Sequence, residues 1–218
     1  SRLWDVKTGQ EIQRFAGHSA SVNAVAFRSD GQIIATGGDD RTVRIWDVAT
    51  GEEIHRLEGH TLFVQAVDFS PDTPAGTGGQ TLVSAGTDST VRLWDVEQGR
   101  EIGQLEGHRA RVNVAVFSPD GQTVVTAGKD GSVLVWDVAT RTVIRRLDGH
   151  TSFVFAAAFS PDTLQDTGGH ILVTTSHDRT ARIWPSVAQL LDEAEALIQR
   201  DPPEFTPAER TRLGLGKN

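Results

Sequence analysis

Short apolar runs and tight polar turns alternate along most of this chain, and within the runs apolar and polar positions alternate with the two-residue period of half-buried strands. Residues 22–27 form one such run, and Ser29-Asp30-Gly31 follows as a turn. A second run covers 33–36, and residues 37–41 turn again. Residues 42–48 alternate strongly through Val43, Ile45 and the Trp46-Asp47 step, and Ala49-Thr50-Gly51 closes them. Residues 53–57 form a more polar strand, the character expected at a sheet's outer edge. The pattern predicts an all-β chain built of four-stranded units, each burying its faces only against a neighbour.

The units repeat. Gly-His recurs at Gly17-His18, Gly59-His60, Gly107-His108 and Gly149-His150. Trp-Asp recurs at Trp4-Asp5, Trp46-Asp47, Trp94-Asp95 and Trp136-Asp137, with Trp184-Pro185 as an altered fifth copy. Each of the first four Trp residues precedes the next Gly-His by the same interval. From His to Trp the spacing alternates: His60 to Trp94 and His150 to Trp184 are six residues longer than His18 to Trp46 and His108 to Trp136. The extra residues are 73–78 and 163–168, rich in turn formers, so the duplicated unit is a pair of sheets carrying a loop insert.

Over residues 1–184 the chain resembles the WD40-repeat family, in which the stretch from Gly-His to Trp-Asp supplies one blade of a β-propeller. The resemblance implies WD40-type β-propeller blades, three complete and two complementary part-blades. It also implies a tetrad in each blade: His18, Thr36, Asp40 and Trp46; His60, Ser84, Asp88 and Trp94; His108, Thr126, Asp130 and Trp136; His150, Thr174, Asp178 and Trp184. In the family these residues form a hydrogen-bond network tying an outer loop to the inner strands. Partner recognition in the family uses loops entering the first strand and joining the second to the third. Those positions are Ser21, Asn23 and Asp39; Phe63, Gln65 and Thr87; Arg111, Asn113 and Lys129; Phe153, Phe155 and His177. Phe63, Arg111, Phe153, Phe155, Lys129 and His177 are the partner-binding candidates; Phe63, Phe153, Phe155 and Arg111 stand out, because aromatics and Arg are the usual hot-spot types. For the Phe residues, packing between blades is the competing reading.

A His60, Ser84 and Asp88 set also invites a hydrolase reading, since a carboxylate orients the imidazole in both arrangements. Four equivalent copies favour a structural role, because hydrolysis needs one activated nucleophile with its own oxyanion site. Gly37-Gly38-Asp39-Asp40 and Gly128-Lys129-Asp130-Gly131 lead into strands, so neither suits a phosphate cradle at a helix start. Asp39-Asp40 lacks the spaced oxygen ligands of a calcium loop. No catalytic, metal or cofactor residue is assigned; His170 and His177 are a weak metal candidate.

The ends break the repeat. Residues 1–6 and 11–15 are the third and fourth strands of one blade, whereas residues 153–184 supply a first, second and third strand. The outer N-terminal strand therefore complements the three-stranded C-terminal sheet. The expectations are a piece of a larger propeller, which the missing initiator Met favours, a two-chain eight-bladed ring, or a closed four-bladed monomer. Domain organisation follows: propeller blades over 1–185 and a helical tail over 186–218. In the tail, Ser186 and Gln189 cap an apolar helical face ending at Asp201-Pro202-Pro203, and Thr206-Pro207-Ala208-Glu209 starts a second helix. The tail is expected to pack on the blades and resembles the endings of WD40 arrays in multidomain bacterial signalling proteins.

Composition narrows the function. The 218 residues carry a formal net charge of −8, no Cys and no long apolar run. Nucleic-acid binding, which draws on clustered cations, and membrane insertion are not expected. The expectation is a cytoplasmic, non-catalytic protein-interaction scaffold or sensor module with other proteins as partners and a tendency to homo-oligomerise.

Overall fold

The computed structural model describes residues 1–71, 79–160 and 170–184. The loop inserts at 73–78 and 163–168 and the helical tail expected over 186–218 lie outside the described residues. Within them every regular element is a strand. No helix there is long and apolar enough to cross a membrane.

Strands β1 (Arg2–Trp4) and β2 (Glu11–Arg14) form a two-stranded sheet. Three four-stranded antiparallel sheets follow in meander order. The first holds β3 (Val22–Phe27), β4 (Ile33–Gly38), β5 (Thr42–Asp47) and β6 (Glu53–Glu58). The second holds β7 (Val64–Phe69), β8 (Thr81–Gly86), β9 (Val91–Asp95) and β10 (Arg100–Leu105). The third holds β11 (Val112–Phe117), β12 (Thr123–Gly128), β13 (Val133–Asp137) and β14 (Val143–Leu147). Strands β15 (Val154–Phe159), β16 (Leu172–Ser176) and β17 (Ala181–Trp184) make a three-stranded sheet. The chain divides into two compact units, Ser1–Ala158 with Thr174–Arg182, and Phe159–Val173 with Ile183–Asn218. In the second, Ser160 is held to the chain ahead of β16, its Oγ accepting the Ile171 N–H at 3.0 Å.

The second strands run two residues further than the hydrophobic pattern predicts. Gly37 and Gly38 pair with Ala24 and Val22 across a bulge, so they belong to β4 rather than to a turn. Packing explains the glycine: a Cβ on Gly37 would sit 2.5 Å from Cγ1 of Val64 in the next sheet. The turn begins only at Asp39, whose N–H bonds Ser21 O at 2.8 Å.

Within the first unit, successive sheets bury small residues against large ones. Ala24 and Ala26 of β3 pack on Val64, Val67 and Phe69 of β7. Ala66 of β7 packs on Val112, Ala115 and Phe117 of β11. At the corresponding places on β3, Val25 and Phe27 are 59% and 52% exposed, where Val67 and Phe69 are 7% and 6% exposed. The β1–β2 sheet covers the outer part of the first four-stranded sheet instead: Phe15 stacks at a tilt on Trp46 with ring centroids 6.0 Å apart.

Polar links between sheets follow the duplicated pair. Asn23 Nδ2 donates to Val64 O at 3.0 Å, and Asn113 Nδ2 donates to Val154 O at 2.7 Å. Between the second and third sheets, Asp68 Oδ2 accepts the Phe117 N–H at 2.8 Å. Burial pushes the Asp68 carboxyl up to about 6, against the backbone donors of Phe117 and Phe69.

Candidate functional site

Each complete sheet carries one hydrogen-bonded chain through its interior. In the first, Trp46 Nε1–H donates to Thr36 Oγ1 at 2.8 Å. His18 Nε2 lies 2.8 Å from the same oxygen, and His18 Nδ1 lies 2.9 Å from both Asp40 oxygens. The second repeats it with Trp94 on Ser84 Oγ at 2.8 Å, His60 on Ser84 at 2.8 Å, and His60 on Asp88 at 3.0 Å. The third joins Trp136, Thr126, His108 and Asp130 through contacts of 2.7, 2.7 and 2.9 Å. In the three-stranded sheet, His150 bridges Thr174 and Asp178 at 2.8 Å each. Because indole can only donate, the hydroxyl accepts from Trp and donates its own proton to Nε2, leaving Nδ1–H for the carboxylate.

The carboxylates collect further donors. The backbone N–H groups of Ser19, Thr61, Arg109 and Thr151 reach Asp40, Asp88, Asp130 and Asp178 at 2.8–3.1 Å. Thr42, Thr90, Ser132 and Thr180 each add a hydroxyl, at 2.6–2.8 Å. Burial raises the Asp40 carboxyl, but donors from Thr42, His18 and Ser19 outweigh it and hold the group at about 2. Asp88 and Asp130 show the same contest, burial against side-chain donors, with a net lowering. Asp178 is drawn down chiefly by the Thr180 hydroxyl. Burial lowers the His108 imidazole, and its bond to Asp130 offsets this only in part. Thr36, Ser84, Thr126 and Thr174 are all 0% exposed, so no solvent-borne molecule reaches their hydroxyls.

Gly-His and Trp-Asp meet in space through these chains. A Cβ on Gly17 or Gly107 would lie 2.8 or 2.9 Å from the Trp46 or Trp136 ring, which makes glycine obligatory before the histidine. After the tryptophan, Asp47, Asp95 and Asp137 accept the N–H three residues on at 2.7–2.8 Å and shape the turn into the fourth strand.

A second surface lies where the loops into each first strand meet those joining second and third strands. Phe63, Phe153 and Phe155 are all exposed there, and Phe155 stands at the first-strand place from which Asn23 and Asn113 reach the following sheet. His177 stands between Phe153 and Phe155, with ring centroids 6.1 and 6.0 Å away. Lys129 Nζ lies 5.3 Å from the Phe153 ring centroid. Arg111 donates across to the Gln65 side-chain Oε1. Ser21 lends its carbonyl to the Asp39 N–H, and Phe63 lends its own to Thr87. Asn23 is drawn inward to Val64 and Asn113 to Val154, but Asn23 Nδ2 also bonds Asp39 Oδ1 at 2.7 Å. His170 turns instead to Ser160 O, at 3.1 Å, and among the described residues no acidic or imidazole cluster could hold a metal ion.

A family model described as WDR90, 4th beta-propeller, matches residues 21–200. The chain belongs to this WD-repeat β-propeller family. It is also similar to the Periodic tryptophan protein 2 homolog of Schizosaccharomyces pombe (strain 972 / ATCC 24843), 43% identical over 42 residues. That stretch is 19% of this chain and 5% of the relative, so the chain spans a small part of that protein's length.

Three features of this WD-repeat chain escape its motifs. The hydroxyl two residues after each tetrad Asp (Thr42, Thr90, Ser132, Thr180) recurs in register and could have been found that way. Asp68 has no counterpart: Ala26, Val116 and Ala158 stand at its place in the other sheets. The third is a cross-strand ion pair. Arg44 pairs with Glu53, Arg92 with Glu101, and Arg2 with Glu11 at 3.2 Å. In the third sheet both partners are replaced together, by Leu134 and Val143. Arg182 occupies the same place on β17, and among the described residues it has no carboxylate partner; its buried Nε makes no hydrogen bond.

Proposed function

We propose that this chain is a non-catalytic protein-interaction module whose blades are rigidified by the tetrads and whose partner docks on Phe63, Arg111, Lys129, Phe153, Phe155 and His177. The observation carrying this reading is an exposed aromatic and cationic cluster on a scaffold whose buried tetrads are engaged in hydrogen bonds. Buried networks of this kind hold loops in one geometry, the property a docking surface needs. A hydrolase draws no support from the tetrads, because each hydroxyl is sealed from solvent and, in the complete sheets, already accepts an indole N–H. The proposed setting is a sensor module of a cytoplasmic, multidomain signalling protein. The test places a photo-crosslinking amino acid at Phe63 and Phe155, with Thr50 at the opposite end as control. A specific protein adduct from the first two sites alone supports the reading. Equal labelling from all three would refute it, as would no protein adduct at all.

A specific observation favours homo-oligomerisation by strand exchange as well. Among the described residues Arg182 on β17 has no carboxylate partner, and β2 carries Glu11 in the register of Glu53 and Glu101, opposite the tryptophan. In the proposed exchange, β2 of a second copy pairs with β17 and Glu11 meets Arg182. Trp4 marks β1 as a third strand too, so β1 must release β2 first. Light scattering tests this. The expectation is a dimer for the wild type, monomers for Glu11→Arg and for Arg182→Glu, and a dimer again for the double variant. A wild type that stays monomeric as concentration rises would sink the exchange.

A further inference from the structure

The duplicated blade pair allows each loop position to be compared with its twin ninety residues on. The tetrads differ little between copies, and after Trp-Asp the Ala-Thr pair of the first blade is kept while Gly51 and Glu52 give way to Arg141 and Thr142. The docking end differs a great deal. Ser19, Ser21, Asp39 and Ser89 in the first pair are Arg109, Arg111, Lys129 and Arg179 in the second. Gln65 and Thr87 become Phe155 and His177. These differences outweigh the two in the other direction, Arg41 against Gly131 and Leu62 against Ser152. A chain with a net charge of −8 has thus gathered cations and aromatic rings on the loops of one blade pair.

We propose that this end of the second blade pair docks an acidic protein segment carrying aromatic or branched aliphatic side chains. The proposal rests on the interaction-module reading and gives its partner a chemistry. Arg109, Arg111, Lys129 and Arg179 are all exposed. The two carboxylates on the same loops, Asp130 and Asp178, are saturated by histidine, hydroxyl and backbone donors, so they hold no cation of the patch. Arg111 is steadied by Gln65 and Lys129 by the Phe153 ring. Cations held in place lose less side-chain freedom when a carboxylate arrives, and exposed rings beside them supply apolar contact area. Opposite charge across the contact then selects the partner and speeds its encounter.

Single-stranded nucleic acid is the competing occupant, since it too uses cations and stacked rings. It needs cations that track a long backbone. The corresponding loops of the first blade pair carry Asp39 where the second has Lys129, and Ser19, Ser21 and Ser89 where it has arginines, so the cations stop at one blade pair. The observations therefore favour a protein.

The twin positions also supply the test, because each replacement is one the scaffold already tolerates. The variants are a triple, Arg109→Ser/Arg111→Ser/Lys129→Asp, and the single changes Phe155→Gln and Arg179→Gly. The last places the Gly131 residue type at a left-handed position, φ 68°, and so removes a charge without backbone cost. The probes are fluorescein-labelled pools of short peptides made of Asp, Glu, Phe and Leu, the same pools with Lys and Arg for the acids, and labelled oligo-dT. The wild type is expected to bind the acidic pool selectively and more weakly as salt rises. The triple variant should lose about tenfold or more in affinity at an unchanged unfolding midpoint, and Arg179→Gly a smaller part. Phe155→Gln should weaken binding while leaving its salt dependence intact. Equal binding of the basic pool, tighter binding of oligo-dT, or an unaffected triple variant would each overturn the proposal. If protein adducts at Phe63 or Phe155 persist undiminished in the triple variant, the acidic chemistry fails and the interaction module stands. If neither the wild type nor the variant gives adducts, the module reading itself falls.

Discussion

Asp68 makes neutral pH costly for this fold, and replacing it by Asn should recover the difference. The carboxyl sits between the second and third sheets with the Phe117 N–H on one oxygen, and burial lifts it to about 6 from an ordinary value of 3.8. A folded-state value above the unfolded one means that the native state binds the proton more readily. Stability contributed by this group is therefore full below about pH 4, declines as pH rises to about 6, and is level beyond. Roughly two units at about 1.4 kcal/mol each give about 3 kcal/mol, which partial solvent access at Asp68 reduces to about 2 kcal/mol. Asp68→Asn keeps an acceptor for the Phe117 N–H and removes the charge. Urea unfolding followed by the fluorescence of Trp46, Trp94 and Trp136 should show the variant more stable by about 2 kcal/mol at pH 7. At pH 4 the two proteins should coincide. The other carboxylates cancel in the difference between the curves. A difference that does not change between pH 4 and pH 7 would refute the assignment.

Three further outcomes are expected. Ser84→Ala strands the Trp94 N–H and His60 Nε2 in a buried site and should cost about 2–4 kcal/mol in urea unfolding, while Ser84→Thr, the residue type of the other tetrads, should restore most of it. Glu53→Val alone removes the nearest carboxylate from the buried Arg44 guanidinium and leaves it only Asp40 at 3.6 Å, at about 2 kcal/mol, whereas Arg44→Leu/Glu53→Val copies Leu134 and Val143 and should unfold at nearly the wild-type midpoint. The tetrad carboxylates run opposite to Asp68: their folded-state values lie below the unfolded ones, so their stabilisation is present above about pH 4 and disappears as pH falls through about 2. Acid titration followed by tryptophan emission should place the main unfolding step in that interval.

The fold is legible wherever a residue type is forced at a fixed interval. The spacing of Gly-His and Trp-Asp reveals the repeating unit, and the family resemblance it carries picks out His18, Thr36, Asp40 and Trp46, each the donor or acceptor that its neighbour requires. Gly37 misleads for the same reason that makes it necessary: a turn and a close approach by Val64 both select glycine, and only the packing tells them apart. Asp68 is invisible because one polar position among Ala26, Val116 and Ala158 has no period. Arg44 and Glu53 lie on different strands, and their partnership surfaces only in the joint change to Leu134 and Val143. For the docking end, residue type nominates Phe63 and Phe155, but their exposure depends on where the loops place the rings.

The ion pairs across third and fourth strands have a consequence for how such a chain avoids mistakes. A repetitive sequence offers every outer strand several nearly identical edges, and threading onto the wrong one gives a trapped, misassembled array. A Glu-bearing outer strand that joined β13 would place its carboxylate against Leu134. The Val143-bearing strand on β5 would strip Glu53 from the Arg44 cation and leave it only the longer contact to Asp40. Each of these mistakes forfeits a close ion pair that the correct match makes. The pairs thus work as keys cut for particular locks, and they guard the order of the blades during folding more than they strengthen the finished sheet.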